Sequence, residues 1–516
     1  MLNFSILRTQ AELLHWRNQQ TSPIGFVPTM GGLHHGHGQL IKAAKSSHLN
    51  DTPVVLVSVF VNPLQFGPKE DLTSYPRNLE KDIETASRAG ASAVWAPSIN
   101  QIFPGGAESS FKLKVPLGLQ SRLCGSIRKG HFDGVATVMM HLLRCVEPNF
   151  LVLGEKDWQQ FVILRKLIND LGLPIKIRGV ATVRDLDGLA YSSRNQYLSK
   201  SEREQSLALP NELAKAAQDV QQRKILDLQA IRSSLEQKDL KVEYLEIVDP
   251  HQLQPAKTDQ HFSLLAAAIR CGETRLIDHT FLMTRKPIIA IDGPAGAGKS
   301  TVTRAFAERM GLLYLDTGAM YRAVTWLVQQ KGIDPTDQLA VSKSLKNLKL
   351  ELEPCGKNPK VIVNGNNVTN AIRSPSVTAL VSKIAAQGSV REALTAQQKD
   401  IGNTGGIVAE GRDIGTTVFP NADLKIFLTA STAERARRRL IDLQNQNYKV
   451  PSFNELEAQI KDRDKIDSTR TISPLVKAKD AKELITDGMR IEEVIQAIED
   501  LFRVMVPEEV WPTPAK

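Results

Sequence analysis

Apolar and amphipathic segments alternate through the first part of the chain. IGFVPTM (24–30) is an apolar run that ends at two glycines, and GQLIKAAKSS (38–47) follows with helical spacing. VVLVSVFV (54–61) has the continuous apolar character of a strand buried on both faces. A polar loop, NPLQFGPKEDLTSYPR (62–77), leads to the helical NLEKDIETASRAG (78–90) and the strand-like SAVWAPS (92–98). FDGVATVMMHLLRCV (132–146) and WQQFVILRKLINDLG (158–172) read as helices, each followed by a strand, NFLVLG (149–154) and IKIRGVATVR (175–184). Strand–helix alternation of this kind predicts a parallel α/β sheet, whose ligands bind at the carboxyl ends of the strands.

From about Ser199 the texture changes. SEREQSLALPNELAKAAQDVQQ (201–222) and LQAIRSSLEQ (228–237) are polar helices, while KVEYLEIVDP (241–250) and FSLLAAAIRCGETRLIDH (262–279) are strands. These predict a small α+β lobe. After Thr284 a new α/β unit begins with IIAID (288–292), a glycine-rich loop and the helix TVTRAFAERMG (301–311). The predicted domains are therefore 1–198, 199–283 and 284–516, with no Gly/Ser-rich linker between the halves and no internal repeat.

Composition narrows the class. At 516 residues the chain is too long for one ordinary core. Its 42% hydrophobic and 23% charged residues are those of a soluble globular protein. A formal charge of +9 suits anionic substrates such as nucleotides but does not by itself argue for nucleic acid. The four cysteines, Cys124, Cys145, Cys271 and Cys355, form no CxxC pair, so neither a disulfide framework nor a zinc site is expected. No signal peptide and no membrane-length apolar run is read, which makes the cytoplasm the expected compartment and a membrane no expected partner.

GPAGAGKS supplies the second half's chemistry. Gly293, Gly298, Lys299 and Ser300 fit G-x-x-x-x-G-K-[ST] between a strand and a helix, the context that motif needs. The stretch Gly293, Pro294, Ala295, Gly296, Ala297, Gly298 and Thr301 can bring backbone N–H groups close to phosphates, helped by the helix N-terminus. Lys299 would reach the β- and γ-phosphates of ATP, and Ser300 would ligate Mg²⁺. A monophosphate acceptor is a dianion, so it needs several guanidinium forks; Arg322, Arg412, Arg463 and Arg470 are the candidates.

LDTGAMYR (315–322), SVREAL (389–394), VAEGRDIGT (408–416) and DRDKIDSTR (462–470) together resemble the bacterial cytidylate kinase family, from about Pro287 to beyond Asp500. The resemblance implies a P-loop nucleoside monophosphate kinase fold that phosphorylates CMP or dCMP. It includes a nucleotide-binding insert over about 336–400 and a lid over about 431–445, whose ERARRRL (434–440) would neutralise charge. It assigns Ser382, Arg391 and Asp413 to the cytosine edge, Asp467 to the ribose hydroxyls, and Thr317, where relatives often carry Ser, to the acceptor. No guanine-reading NKxD signature is found.

In the first half, PTMGGLHHGH (28–37) places His34, His35 and His37 just after Gly31 and Gly32. A metal pair, a structural turn and a phosphate cradle are all open on these residues alone. The cradle is favoured because a helix beginning near His34 or Gly36 would add its N-terminal dipole. The further stretches FVNPLQF (60–66), DLTSYPR (71–77), GHFDGV (130–135), GEKDWQQ (154–160), DGLAYSSRN (187–195) and GETRLID (272–278) arrive in order. With PTMGGLHHGH they resemble the pantothenate synthetase (pantoate–β-alanine ligase) family over roughly residues 1–282.

This resemblance implies a Rossmann-like nucleotidyltransferase domain and two steps. Pantoate carboxylate attacks the α-phosphorus of ATP to give pantoyl adenylate and pyrophosphate, and the amine of β-alanine then displaces AMP. His34, His37, Lys156 and Arg194 would stabilise the charge that builds on pyrophosphate. Ser192 and Ser193 would add hydroxyl donors. The family role of His37 is proton donor, but electrostatic stabilisation is the more natural role for both histidines. Met30, Gly31, Gly32, Leu33, His35, Gly36, Gly154, Glu155, Asp157, Val183 and Tyr191 complete the expected ATP site. Gln65 and Gln160 would hydrogen-bond pantoate, with Asn62 and His131 as helpers and Mg²⁺ bridging phosphates. Lys129 stands where the family usually has Pro, and His35 where acidic or small residues are common.

An RNA-handling protein is the main competing class. It would carry an anticodon-binding lobe or an aromatic platform, whereas only 5% of residues here are aromatic. A retired enzyme kept as a scaffold would show gaps among the phosphate-binding residues, and neither half does. The expectation is two independent enzymes in one chain, forming a homodimer through the ligase half.

Overall fold

The apolar runs of the first half become six parallel strands. They are β1 (Ser5–Leu7), β2 (Ile24–Thr29), β3 (Val54–Val59), β4 (Ala93–Trp95), β5 (Phe150–Gly154) and β6 (Lys176–Val180), in the order β1-β4-β3-β2-β5-β6. The computed structural model describes residues 4–46, 52–67, 70, 72–73, 75–256, 261–353, 360–445 and 451–511. Strand alternation sends Val27, Val55, Val57, Val94 and Val152 into one layer with Ile41, Ala44 and Ala86 from the helices His35–Lys45 and Leu79–Ala89. Phe26, Leu56 and Leu151 are equally buried and point the other way.

One proline decides where this sheet opens. β2 pairs with β5 only at Gly25 and Phe26, although β5 continues to pair with β6 as far as Gly154. Pro28 carries no N–H to extend that ladder. The two strands therefore part toward their carboxyl ends, at the point where the strand order reverses, which is where α/β sheets receive ligands.

The lobe is an antiparallel sheet of β7 (Lys241–Val248), β8 (Phe262–Cys271) and β9 (Thr274–Met283), packed on the helices Ala208–Gln221 and Leu228–Glu236. It belongs to the same unit as the six-stranded sheet, Met1–Thr284 with Pro507–Glu509. Three expectations are corrected here. The stretch 201–222 is two helices, Lys200–Ser206 and Ala208–Gln221, because Pro210 has no amide to bond back to Ser206. The strand expected over 175–184 stops at Val180, so Ala181–Val183 leave the sheet. The strand expected over 92–98 is only Ala93–Trp95.

The second unit, Arg285–Val506 with Val510–Lys516, is built on a parallel sheet of five strands. β10 (Ile288–Asp292) is central and buried throughout, as the run IIAID predicts. A short hairpin sheet comes first in the chain after β11 (Leu313–Asp316): β12 (Leu350–Glu353), β13 (Lys360–Val363) and β14 (Asn366–Asn367), inside the expected insert. β15 (Ile407–Gly411), β16 (Leu424–Thr429) and β17 (Lys482–Ile485) complete the main sheet in the order β11-β15-β10-β16-β17. Residues 354–359 of the insert, with Cys355, lie outside the described residues, as do Asp71 and Ser74 of DLTSYPR. The helix Thr432–Asn445 spans the expected lid. Among the described residues, no helix is long and apolar enough to cross a membrane.

The turn after β2 rests on a carboxylate 50 residues away. Gly31 and Gly32 have φ of +89° and +63°, and buried Asp82 accepts the N–H of Gly32 (3.1 Å) and of Leu33 (2.7 Å). Asp82→Ala should strand both amides and cost about 2–4 kcal/mol locally. Hydrogen–deuterium exchange of the 29–34 segment should speed up accordingly; unchanged protection would show that the turn holds itself.

Candidate active sites

The parted ends of β2 and β5 open into a cavity of about 800 Å³ in the first unit. His34 caps the helix His35–Lys45 from an extended backbone (φ −132°), as the predicted helix start requires. Its Nδ1 accepts the Gly36 N–H, and His37 Nδ1 accepts the His34 N–H, each at 3.2 Å. Both Nδ1 atoms are thus acceptors, which leaves the proton of each neutral ring on Nε2. Burial, and then the charges of His37 and Lys156, push His34 down to about 3. Burial pushes His37 down to about 4, although Asp157 opposes it. The rings lie 4.1 Å apart, and Tyr191 stacks on His34 at 5.7 Å.

Most of the expected ligase residues line this cavity: Met30, His34, Gly36, His37, Gln65, Gly154, Lys156, Asp157, Gln160, Val183, Tyr191, Ser192, Ser193 and Arg194. Arg194 lies over the Tyr75 ring at 6.0 Å, and the Tyr75 hydroxyl meets Ser193 Oγ at 3.3 Å. Ser192 Oγ accepts the Arg194 N–H at 3.3 Å, which fixes the short turn that carries these donors. Gln65 Oε1 accepts from Asn62 Nδ2 at 3.1 Å, and its Nε2 meets Met30 Sδ at 2.8 Å.

Five expected residues do not reach the cavity wall. Gly31 and Gly32 build the turn, and Leu33 is buried in the sheet's helix-covered core. His35 is exposed and meets Gln39 at 3.1 Å. Glu155 is buried, its carboxyl pushed well above the usual range by that burial. A side chain turned into the core cannot face a nucleotide. Among the described residues, no group of three or more His, Cys, Asp or Glu side chains is placed to hold a metal ion.

In the second unit, the loop after β10 approaches its neighbours so closely that a Cβ at Gly293 would meet the Leu428 carbonyl oxygen at 1.9 Å. Asp292, at the end of β10, accepts the N–H groups of Ile414 and Gly415, both at 2.7 Å; burial raises it to about 6. Lys299 is buried, and its ammonium donates to the Gly293 and Pro294 carbonyls at 2.7 and 2.8 Å. Burial, then Arg412, holds it well below its usual value. Arg435 and Arg438 of the lid helix donate to the Ala295 and Ala297 carbonyls at 3.1 and 3.4 Å.

Next to the loop, Ser300 and Tyr314 both donate to Glu410 Oε1, at 2.6 and 2.9 Å, while Glu410 Oε2 is buried with no hydrogen-bond partner among the described residues. Thr317 Oγ1 donates to the Glu410 carbonyl at 2.6 Å. A carboxylate oxygen orphaned beside a serine hydroxyl is the hard-oxygen donor set that Mg²⁺ takes. Gly296, Gly298 and Thr301 lie in the same loop and first helical turn.

Arg322 and Arg412 lie near enough to Arg463 for their charges to act on it. Burial, then the charge of Arg412, holds the Arg463 guanidinium below its usual value, with Arg322 and Arg439 adding to the repulsion. Asp467 accepts from Arg412 at 3.1 Å, and Asp316 lies 3.5 Å from Arg322. Arg391 pairs with Asp413 in the interior and lies 5.3 Å from the Tyr321 ring centre; Arg470 approaches the same Asp413 at 3.8 Å. Ser382 is half-buried on the helix Pro375–Ala385, whose last residue accepts from Arg391 at 2.9 Å. Nε of Arg322, Arg391 and Arg463 and the Arg470 Nη that approaches Asp413 are buried without hydrogen-bond partners among the described residues. Donors left unpaired together mark a place for an anion.

Asp82, Asp292 and Glu410 are the working residues that the sequence did not single out. Each acts on a backbone or hydroxyl group far along the chain, so no local spacing announces it.

Known proteins resemble both halves of the chain. The family model for pantoate-beta-alanine ligase matches residues 5–281, and that for cytidylate kinase matches residues 289–504. A protein of Prochlorococcus marinus (strain MIT 9313), named bifunctional pantoate ligase/cytidylate kinase, is 63% identical over 96% of this chain and 99% of its own. One of the same name from Synechococcus sp. (strain CC9311) is 59% identical over 95% and 99%. The solved pantothenate synthetase of Thermus thermophilus is 38% identical over 54% of this chain and 98% of its own, with a TM-score of 0.49. The chain belongs to the bifunctional pantoate ligase/cytidylate kinase family, an α/β enzyme with a pantoate–β-alanine ligase and a cytidylate kinase in one polypeptide.

Proposed function

We propose that the two sites work independently and that each is a pre-formed anion receptor. The observation that carries this reading is the convergence of unpaired or N–H-presenting donors on a space lined by the residues each reaction needs. In the ligase half, His34 and His37 act as neutral Nε2–H donors to ATP phosphates, and Lys156 and Arg194 supply the charge that stabilises departing pyrophosphate. A ring held neutral down to about pH 4 is a poor proton donor at neutral pH, so His37 stabilises charge rather than transferring a proton. Met30, Gly154, Asp157 and Val183 line the nucleotide, and the Gln65 and Gln160 amides grip pantoate. The carboxylate is adenylated first, and β-alanine's amine then releases AMP.

In the kinase half, Lys299 leaves its two loop carbonyls for the phosphates of ATP. Arg322, Arg412, Arg463 and Arg470 hold the phosphoryl groups, while Ser382, Arg391, Asp413 and Asp467 read cytosine and ribose of CMP or dCMP. Mg²⁺ fits at Ser300 and Glu410, where it would neutralise phosphate charge. The three described cysteines are free thiols, consistent with work in the cytoplasm. Assembly as a homodimer through the ligase half follows the resemblance, and sedimentation would test it.

Lys299→Ala should lower CDP formation by about 100-fold or more and leave pantothenate formation within twofold. His37→Ala should do the reverse, read in parallel coupled assays. Loss of both activities from either change, in folded protein, would reject independent sites.

Nitrogen-15 spectra of histidine-labelled protein should show His34 and His37 as neutral Nε2–H tautomers at pH 5.5. Their folded values lie below the ordinary 6.5, so the unfolded chain binds protons first as pH falls. Their contribution to stability is therefore present above about pH 6.5 and is lost as pH drops toward 4 to 3. Imidazolium signals at pH 5.5 would contradict this.

A further inference from the structure

Gln65 ends a short turn, Pro63–Gln65, and the fold holds its backbone as firmly as its amide. Asn62 caps the turn by accepting the Leu64 N–H at 3.1 Å and ties it to the helix His131–Val146 by donating to the Gly134 carbonyl at 3.1 Å. That helix lies so close that a Cβ at Gly134 would meet the Leu64 carbonyl oxygen at 2.2 Å. What remains to be fixed is the Gln65 carbonyl, whose orientation sets the direction in which the side chain leaves the turn.

Two side chains converge on that carbonyl, and a third holds one of them. His131 Nδ1 lies 2.8 Å from it, and Arg128 Nη2 lies 3.3 Å from it. Arg128 Nη1 meets His131 Nε2 at 2.9 Å, and its Nε and Nη2 form a two-pronged pair with Glu70 at 2.6 and 2.5 Å. The chemistry of the donors assigns every proton. Arg128 has no acceptor, so His131 Nε2 must accept; the imidazole proton is then on Nδ1, pointed at the Gln65 oxygen. Burial, with the Arg128 charge next, pushes His131 to about 4, which agrees with a neutral ring. Each nitrogen of the Arg128 guanidinium makes a bond, and Glu70 neutralises its charge. Although these residues border the cavity, Arg128 is committed to the scaffold rather than to a substrate carboxylate.

We propose that Glu70, Arg128 and His131 form a positioning chain that clamps the Gln65 carbonyl and so aims the Gln65 amide at pantoate. The proposal rests on the reading of Gln65 as a pantoate-binding residue. Glu70 lies on the loop that follows the turn and Arg128 just before the helix, so the chain joins three separate segments behind one substrate contact. Removing it loosens pantoate binding while the nucleotide wall stays intact.

The test is steady-state kinetics of the ligase reaction in the full-length protein. His131→Leu should raise the KM for pantoate about tenfold, with kcat and the KM for ATP within twofold, the pattern of lost uniform binding. His131→Asn can present an N–H where Nδ1 stands, and should recover most of the loss. Arg128→Lys, which loses the fork but keeps the charge, should give about a fivefold rise and serves if the leucine variant does not fold. Combining His131→Leu with Gln65→Leu should add nothing to Gln65→Leu alone. Equal rises in both KM values, an asparagine variant as poor as leucine, or additive effects would each overturn the positioning chain. An unchanged pantoate KM in Gln65→Leu itself would instead remove the pantoate reading of Gln65, and the proposal with it.

Discussion

Cationic groups that repel one another are gathered in the second unit, and nearby carboxylates and carbonyls hold them there. Arg412 and Arg463 repel the Lys299 ammonium, and Arg322 and Arg412 repel Arg463, so gathering these cations carries an electrostatic cost. Asp316 and Asp467 offset part of it, and the Gly293 and Pro294 carbonyls hold the ammonium. In the role proposed for this site, a phosphate dianion would offset the remainder, and the repulsion would become selectivity for a charged substrate. Among the described residues, Glu410 Oε2 has no hydrogen-bond partner beside Ser300, which suits the cation role proposed for it.

The first unit meets a related demand by different means. Its two histidines are neutral, and each uses Nδ1 to satisfy a backbone N–H at the start of a helix. The imidazoles thus cap the helix and present N–H dipoles in the same arrangement, without adding charge to Lys156 and Arg194. This suits a reaction in which negative charge moves from the α-phosphorus to pyrophosphate, where fixed dipoles need no reorganisation. The opening that the histidines border comes from a missing hydrogen bond: Pro28 ends the β2–β5 ladder at the carboxyl edge.

The sequence exposed the chemistry better than its support. GPAGAGKS and PTMGGLHHGH are local, and their glycines, cations and flanking apolar runs declare a loop between strand and helix. The parallel strands were legible for the same reason, since IIAID and VVLVSVFV are apolar throughout. Asp82, Asp292 and Glu410 were not, because a carboxylate that bonds a backbone or hydroxyl group 49 or more residues away leaves no spacing to read. Glu155 and His35 misled in the opposite sense. They lie inside motifs whose neighbours face the cavity, yet one turns into the core and the other to solvent. Pro210 could have announced the break between two lobe helices, and Ala181–Val183, apolar enough for a strand, left the sheet to line the cavity.

The central claim is that one chain carries two complete and independent anion receptors. The most direct test is to run both reactions on the purified full-length protein, each with and without saturating substrates of the other. AMP, pyrophosphate and pantothenate should form from pantoate, β-alanine and ATP, and CDP with ADP from CMP and ATP. Neither rate should be altered by the other reaction's specific substrates when ATP is in excess. A silent half, or a rate in one half that depends on CMP or pantoate bound in the other, would contradict it.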